Sequence, residues 1–202
     1  MLESIIRFDT WLFLQLNAGA ANSVCDWLMP WVTELRNWFP LIILGLAAVA
    51  VFGKGRGRTI VLTAIVLFAL TDQVSSHLIK PLVARPRPCH TVEGVRLLYS
   101  CGATYAFPSS HAVTTMAAAF FFGLLYRRIL WPLFFLSVIV SYSRIYLGIH
   151  YPLDTLGGWM IGAAMSLGGV WTYRHHIQPF ANRFRWFRDD STANSSHAAN
   201  AE

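Results

Sequence analysis

The chain has 202 residues, of which 55% are hydrophobic and only 13% charged, with a formal net charge of +6. That composition is too apolar for a soluble domain of this length and lies far from the disordered class. Three cysteines are too few for a disulfide scaffold, which leaves a membrane-embedded domain.

Residues 1–37 come first in chain order, and Glu3, Arg7, Asp9, Asp26, Glu34 and Arg36 interrupt their aromatic and aliphatic side chains. The pattern predicts two amphipathic helices lying in the membrane interface, or a shallow re-entrant pair, rather than a further span. The chain starts Met1-Leu2-Glu3, acidic instead of basic, and no small-residue cleavage site follows an apolar core, which argues against a signal peptide. Five apolar segments near the spanning length follow at 38–53, 59–79, 112–126, 129–149 and 153–173. The expectation is an all-α integral membrane bundle of about five transmembrane helices over 38–173, preceded by amphipathic N-terminal helices. Together these form one domain, 1–188. The stretch 189–202, rich in Ser, Asn and Ala, is expected to be a flexible cytoplasmic tail.

The positive charge is not spread as a nucleic-acid surface would require. Lys54, Arg56 and Arg58 fill one short loop, Arg127 and Arg128 another, and Arg174, Arg183, Arg185 and Arg188 follow the last span. If the five spans alternate, all of these face one side, which the positive-inside rule makes the cytoplasm. The segments 80–110 and 150–152 then lie outside. Lys80, Arg85, Arg87 and Arg96 sit on that outer side against the rule and read as ligand-binding charges. Cys89 and Cys101 bracket the outer loop and either pair in an oxidising compartment or remain two thiols; Cys25 is single in both cases. The spacing Gly158-x-x-x-Gly162 allows close helix approach, within the bundle or, alternatively, between two copies.

Three strings carry the chemistry. Lys80 closes the second span and Arg87-Pro88 follows after six intervening residues; a point charge and a planar fork suit the oxygens of a phosphoryl group. Arg85 is either a further contact of that kind or faces headgroups. In Phe107-Pro108-Ser109-Ser110-His111, the serines fall at a helix start, where unpaired N–H groups and the dipole favour an anion. His111 in the first turn would face that anion and can move a proton. In Ser143-Arg144-Ile145-Tyr146-Leu147-Gly148-Ile149-His150-Tyr151-Pro152-Leu153-Asp154, Pro152 suits the first position of the last helix. Asp154 can then orient His150 and leave its other ring nitrogen free to attack. Arg144 is a charge in an apolar run, and its alternatives are a pore-lining role or an ion pair with Asp154. Asp72, Gln73, Ser75, Ser76 and His77 make the outer half of the second span polar, with His77 one turn before Lys80 on the same face. Either they support the site or they line the bundle interior and satisfy one another.

Lys80-x6-Arg87-Pro88, Pro108-Ser109-Ser110-His111 and Ser143-Arg144-x5-His150-x3-Asp154 together resemble the tripartite signature of the type 2 phosphatidic acid phosphatase superfamily, in its order and with its internal spacing. The resemblance covers about residues 80–158. It departs at one point, since Ser110 stands where the second motif usually has glycine, which bears on the loop geometry.

The resemblance implies a metal-independent lipid phosphatase acting through a phosphohistidine, with no cofactor. In that reading His150 attacks phosphorus, Asp154 orients it, and His111 protonates the leaving oxygen and later activates water. Lys80, Arg87, Ser109, Ser110 and Arg144 would bind the phosphoryl oxygens. The sequence itself offers no carboxylate cluster suited to Mg²⁺. The expected partners are the bilayer and a lipid phosphate within it, and no nucleic acid. The expected place is a bacterial inner (plasma) membrane, with the site facing the periplasm or the outside. Undecaprenyl diphosphate is the preferred substrate, partly by likeness to compact bacterial members of the family; phosphatidylglycerol phosphate, phosphatidic acid and lipid A phosphate are alternatives. A phospholipid or anion transporter is the reading from another class, but transport has no need of an oriented nucleophile.

Overall fold

The computed structural model describes residues 2–102 and 105–184, and these are helical throughout their regular structure. The tail expected at 189–202, with Arg185 and Arg188, lies outside the described residues.

Two helices precede the bundle. The first is α1 (Leu2–Leu14), prolonged by a π turn at Gln15–Gly19, and the second is α2 (Ser23–Thr33). Asn22 caps α2 by accepting from the Cys25 N–H at 2.8 Å. Along α1, Asp9, Phe13 and Asn17 recur at four-residue spacing and are buried, whereas Ile5, Ile6, Phe8 and Trp11 are exposed. The helix therefore turns a mixed polar face to the protein and an apolar face outward, as an interfacial helix does. Phe13 packs with Ile145 and Tyr151, and Met29 of α2 packs with Tyr146, Leu147 and Ile149.

The five apolar segments each form a helix. They are α3 (Leu35–Phe52), α4 (Lys54–Gln73), α7 (Ser110–Leu125), α8 (Leu130–Tyr146) and α9 (Pro152–Thr172). Among the described residues, Leu35–Phe52, Lys54–Thr91 and Arg127–Tyr146 are long and apolar enough to cross a membrane, and Ser110–Leu125 is apolar but shorter. Helix α3 buries no residue in the protein and turns Leu41, Ile43 and Leu44 outward, so it stands at the edge of the bundle against α4.

Lys54, Arg56 and Arg58 do not fill a loop. Helix α4 begins at Lys54, with only Gly53 between it and the end of α3, and these charges lie in its first turns. The hairpin is this tight because Gly57 lies on the Val49 carbonyl, where any Cβ would collide. Arg127 and Arg128 sit in the short turn Arg127–Ile129 between α7 and α8. At the same end, Arg174 Nη2 donates to the Leu124 carbonyl at 2.9 Å, placing a cation on the C-terminus of α7.

Helix α4 continues through a π turn, Val74–Ile79, into α5 (Lys80–Val83). The extra residue in that turn breaks the 3.6-residue register, so Lys80 is buried while Asp72 and His77 are exposed. The expected shared face of His77 and Lys80 is therefore not formed.

The core of the bundle is α7 against α9, and glycine sets their distance. Gly158 lies on the Ser109 carbonyl, where a Cβ would come within 2.9 Å, and a Cβ on Gly162 would strike the Val113 carbonyl. The Gly158-x-x-x-Gly162 stripe thus serves packing within the chain. Such contact stabilises through van der Waals closeness, since lipid tails are as apolar as the side chains they replace. Gly162→Ala should cost about 1–3 kcal/mol by overpacking. Thermal unfolding in detergent checks this, and an unchanged Tm would mean that α7 and α9 are not so closely joined.

Candidate active site

The site is assembled at one end of the bundle, where the C-terminal ends of α4 and α8 and the N-terminal ends of α7 and α9 meet the segment 80–110 and the N-terminal helices. Helix α7 begins at Ser110, with Ser109 as its N-cap in extended conformation. The Ser109 N–H donates to the Asp154 carbonyl at 3.0 Å, docking the start of α7 on the first turn of α9. Pro152 opens α9, and Asp154, at its third position, reaches back to accept from the Tyr151 N–H at 2.8 Å. Tyr146 ends α8, and Gly148, at φ +85°, turns the chain toward His150. A Cβ there would also approach the Arg96 carbonyl to 2.8 Å, so this corner calls for glycine on two counts.

The three strings converge. Lys80, Arg87, Ser109, Arg144, His150 and Asp154 are all buried, and His111 is partly so. His150 interacts electrostatically with Arg144, Arg87 and Lys80, and His111 with Arg144, His150 and Lys80. Burial, followed by these three cations, pushes the His150 imidazole well below its ordinary pKa, so the ring is neutral at neutral pH. Its Nδ1 lies 3.6 Å from Asp154 Oδ2, slightly beyond hydrogen-bond range, leaving Nε2 as the nitrogen turned away from the carboxylate. Such pairs are often long without substrate.

Among the described residues, the buried side-chain polar atoms without a hydrogen-bond partner are Ser109 Oγ, Arg144 Nε and His150 Nδ1. All three belong to the motifs. Buried polar groups are ordinarily satisfied, and a hydroxyl and a guanidinium N–H held unpaired beside a neutral imidazole form a place for an anion.

The hydroxyl of Ser110 points elsewhere. It lies 3.4 Å from both Ser75 Oγ and Ser76 Oγ on the π turn of α4. The serine is accommodated at the usual glycine position because the polar residues of α4 receive its side chain, while its backbone stays at the helix N-terminus. Of the polar stretch Asp72, Gln73, Ser75, Ser76 and His77, then, Ser75 and Ser76 abut the site.

Two of the bases expected to be ligand charges, Arg85 and Arg96, are instead paired with carboxylates of the protein. Arg96 pairs with Asp26 of α2 and also reaches the Tyr146 hydroxyl at 3.3 Å. Arg85 is bound by two carboxylates, Nη1 donating to Asp154 Oδ1 at 2.7 Å and Nη2 to Asp9 Oδ2 at 2.6 Å. Its guanidinium also stacks over the Tyr151 ring at 4.0 Å. Asp154 is accordingly paired with Arg85. Arg144 instead donates from Nη1 to Thr33 Oγ1 at 2.8 Å, and the backbone of Thr33 is a hydrogen-bond partner of His111. One residue at the end of α2 therefore touches both. Its only sequence signal is a polar residue closing an amphipathic helix.

Cys89 and Cys101 form a disulfide with Cα atoms 6.4 Å apart, and Cys25 is free. The bridge ties α6 (Pro88–Thr91), which follows Arg87 directly, to Gly102, whose backbone lies against the Arg87 guanidinium. The donor atoms of Cys89, His90 and Cys101 lie within 4.8 Å of one another, but thiols joined in a disulfide are not thiolate ligands.

A sequence model of the PAP2 superfamily matches residues 59–178. The chain is 32% identical over 174 residues to an undecaprenyl-diphosphatase of Sulfolobus acidocaldarius, covering 83% of this chain and 80% of that protein. It is 27% identical over 202 residues to a lipid A 4'-phosphatase of Porphyromonas gingivalis, covering 96% of this chain and 83% of the relative. The fold resembles the crystal structure of a transmembrane PAP2 type phosphatidylglycerolphosphate phosphatase from Bacillus subtilis. The TM-score is 0.66 at 18% identity, over 86% of this chain and 88% of the other.

Proposed function

This chain belongs to the PAP2 superfamily and is a membrane phosphatase; on that premise we propose that it hydrolyses undecaprenyl diphosphate to undecaprenyl phosphate through a phosphohistidine on His150. The observation that carries the chemistry is the pair of partnerless buried atoms Ser109 Oγ and Arg144 Nε, set with Lys80 and Arg87 around a His150 ring whose Nδ1 faces Asp154. In this reading the Nε2 lone pair of His150 attacks the terminal phosphorus as the bond to the bridging oxygen breaks. His111 gives its proton to that oxygen, and the lipid monophosphate leaves. Neutral His111 then takes a proton from water, whose oxygen attacks phosphorus as the P–N bond breaks, releasing phosphate and restoring His150. Lys80, Arg87, Arg144, Ser109 and the N–H groups at the start of α7, including that of Ser110, hold the equatorial oxygens. Phosphoryl transfer asks mainly for positioning and charge stabilisation, which these residues supply without a metal.

The diphosphate is favoured by the undecaprenyl-diphosphatase relative and by the apolar side chains turned outward on α3, α4 and α8, between which a long tail can stay in lipid. The basic ends at Lys54 and Arg127 are assigned to the cytoplasm, so the site opens to the outer leaflet, on the periplasmic side of a bacterial inner membrane. Lipid A phosphate is the second reading, supported by the Porphyromonas relative.

The test is phosphate release by the purified protein from undecaprenyl diphosphate, lipid A, phosphatidylglycerol phosphate and phosphatidic acid. The highest kcat/KM should belong to undecaprenyl diphosphate, and activity should survive excess EDTA. A preference for lipid A would transfer the assignment to the second reading; loss of activity in EDTA, restored by Mg²⁺, would refute the metal-free chemistry.

A further inference from the structure

Asp9 lies on the N-terminal helix, outside all three motifs, yet its carboxylate is 1% exposed. Burying a carboxylate is costly unless it is paired and hydrogen-bonded, and both of its oxygens are committed. Oδ2 accepts from Arg85 Nη2 at 2.6 Å, and Oδ1 accepts from the Leu153 N–H at 2.9 Å. Both partners adjoin Asp154. Leu153 precedes it in the first turn of α9, and Arg85 donates to its Oδ1 with the other arm of the guanidinium. We propose that Asp9 is a positioning residue for phosphoryl transfer, fixing Arg85 and the start of α9 so that Asp154 presents Oδ2 to His150.

Arg85 lies between two carboxylates, stacked on Tyr151, and gives each a single N–H. With Asp9 holding one arm, Arg85 engages Asp154 through Oδ1 alone. Oδ2 keeps the Tyr151 N–H and faces His150 Nδ1. Without the charge of Asp9, Arg85 is free to close on Asp154 as a two-pronged pair, the geometry that arginine and carboxylate favour. That movement draws Oδ2 away from the imidazole and loosens the Leu153 turn. Asp9 therefore acts on the orienter of the nucleophile, not on substrate.

The inference rests on the phosphohistidine reading, and the experiment separates the two. In Asp9→Asn, kcat on undecaprenyl diphosphate in detergent should fall about 10–100-fold, the usual effect of losing an outer-shell partner, with KM changed less than about twofold. In the Asp154→Asn background the same substitution should cost less than about twofold more, because residues acting through one another are not additive. Asp9→Glu, which keeps the charge, should retain more activity than Asp9→Asn. Glu3→Gln, on the exposed face of α1, should leave kcat unchanged. Full additivity in the double variant, a loss expressed in KM, or wild-type kcat in Asp9→Asn would each overturn the proposal while leaving the role of His150 standing. Normal turnover in His150→Ala would instead remove the chemistry on which it rests.

Discussion

Replacing His150 with alanine should reduce kcat by at least about 10⁴-fold, as expected when the attacking group itself is removed. Asp154→Asn should leave measurable activity, since it takes away only the group that orients the ring. The geometry explains the difference. His150 is 2% exposed with Nδ1 unpartnered, and it is the histidine that the Asp154 carboxylate faces. Burial and the surrounding cations keep its pKa well below the ordinary value of about 6.5, so the unfolded chain takes up a proton there before the folded one does. Stability should accordingly be greatest above that ordinary value and decline as pH falls through it, and His150→Ala should weaken the decline. Activity assays on the purified variant and unfolding curves between about pH 5 and 8 check both results.

Arg144→Lys should lower kcat about 10²–10³-fold, the magnitude associated with one donor lost from a preorganised anion site. Arginine at this position spends Nη1 on Thr33 Oγ1 and keeps Nε unpaired, so a single planar group is both anchored and available. A lysine ammonium is a compact point charge and cannot do both from one fixed plane. Affinity for vanadate, which imitates five-coordinate phosphorus, should fall in parallel with kcat. An Arg144→Lys enzyme within a few-fold of wild type on both measures would mean that bulk positive charge, not geometry, is what this position supplies.

The five bundle helices were legible because each apolar run exceeds what a loop tolerates, and the active-site motifs because charges in such runs are costly without a purpose. The partners of those charges were less legible. Arg85 and Arg96 read as ligand charges since their counter-ions, Asp9 and Asp26, lie 76 and 70 residues away in the chain. Periodicity cannot see such pairs. For the same reason the sequence reading of residues 1–37 as interfacial or re-entrant helices gave them no part in the site, whereas Asp9 and Thr33 from that segment reach the histidine-bearing motifs. The placement of His77 failed for a local reason: a π turn moves the register by one residue, and nothing in Val74–Ile79 announces it. Ser110 shows the converse, since the oddity at the glycine position and the polar stretch of α4 were both visible in sequence, but their contact is tertiary.

Trapping the phosphorylated enzyme shows whether phosphorus passes to His150. Undecaprenyl diphosphate labelled in its terminal phosphate, mixed with the enzyme and quenched in alkali within the first turnover, should leave acid-labile label on the protein. Peptide mapping should place it on His150, with none in His150→Ala. Label on another residue, or label-free protein from an enzyme that turns over normally under the same conditions, would contradict the account.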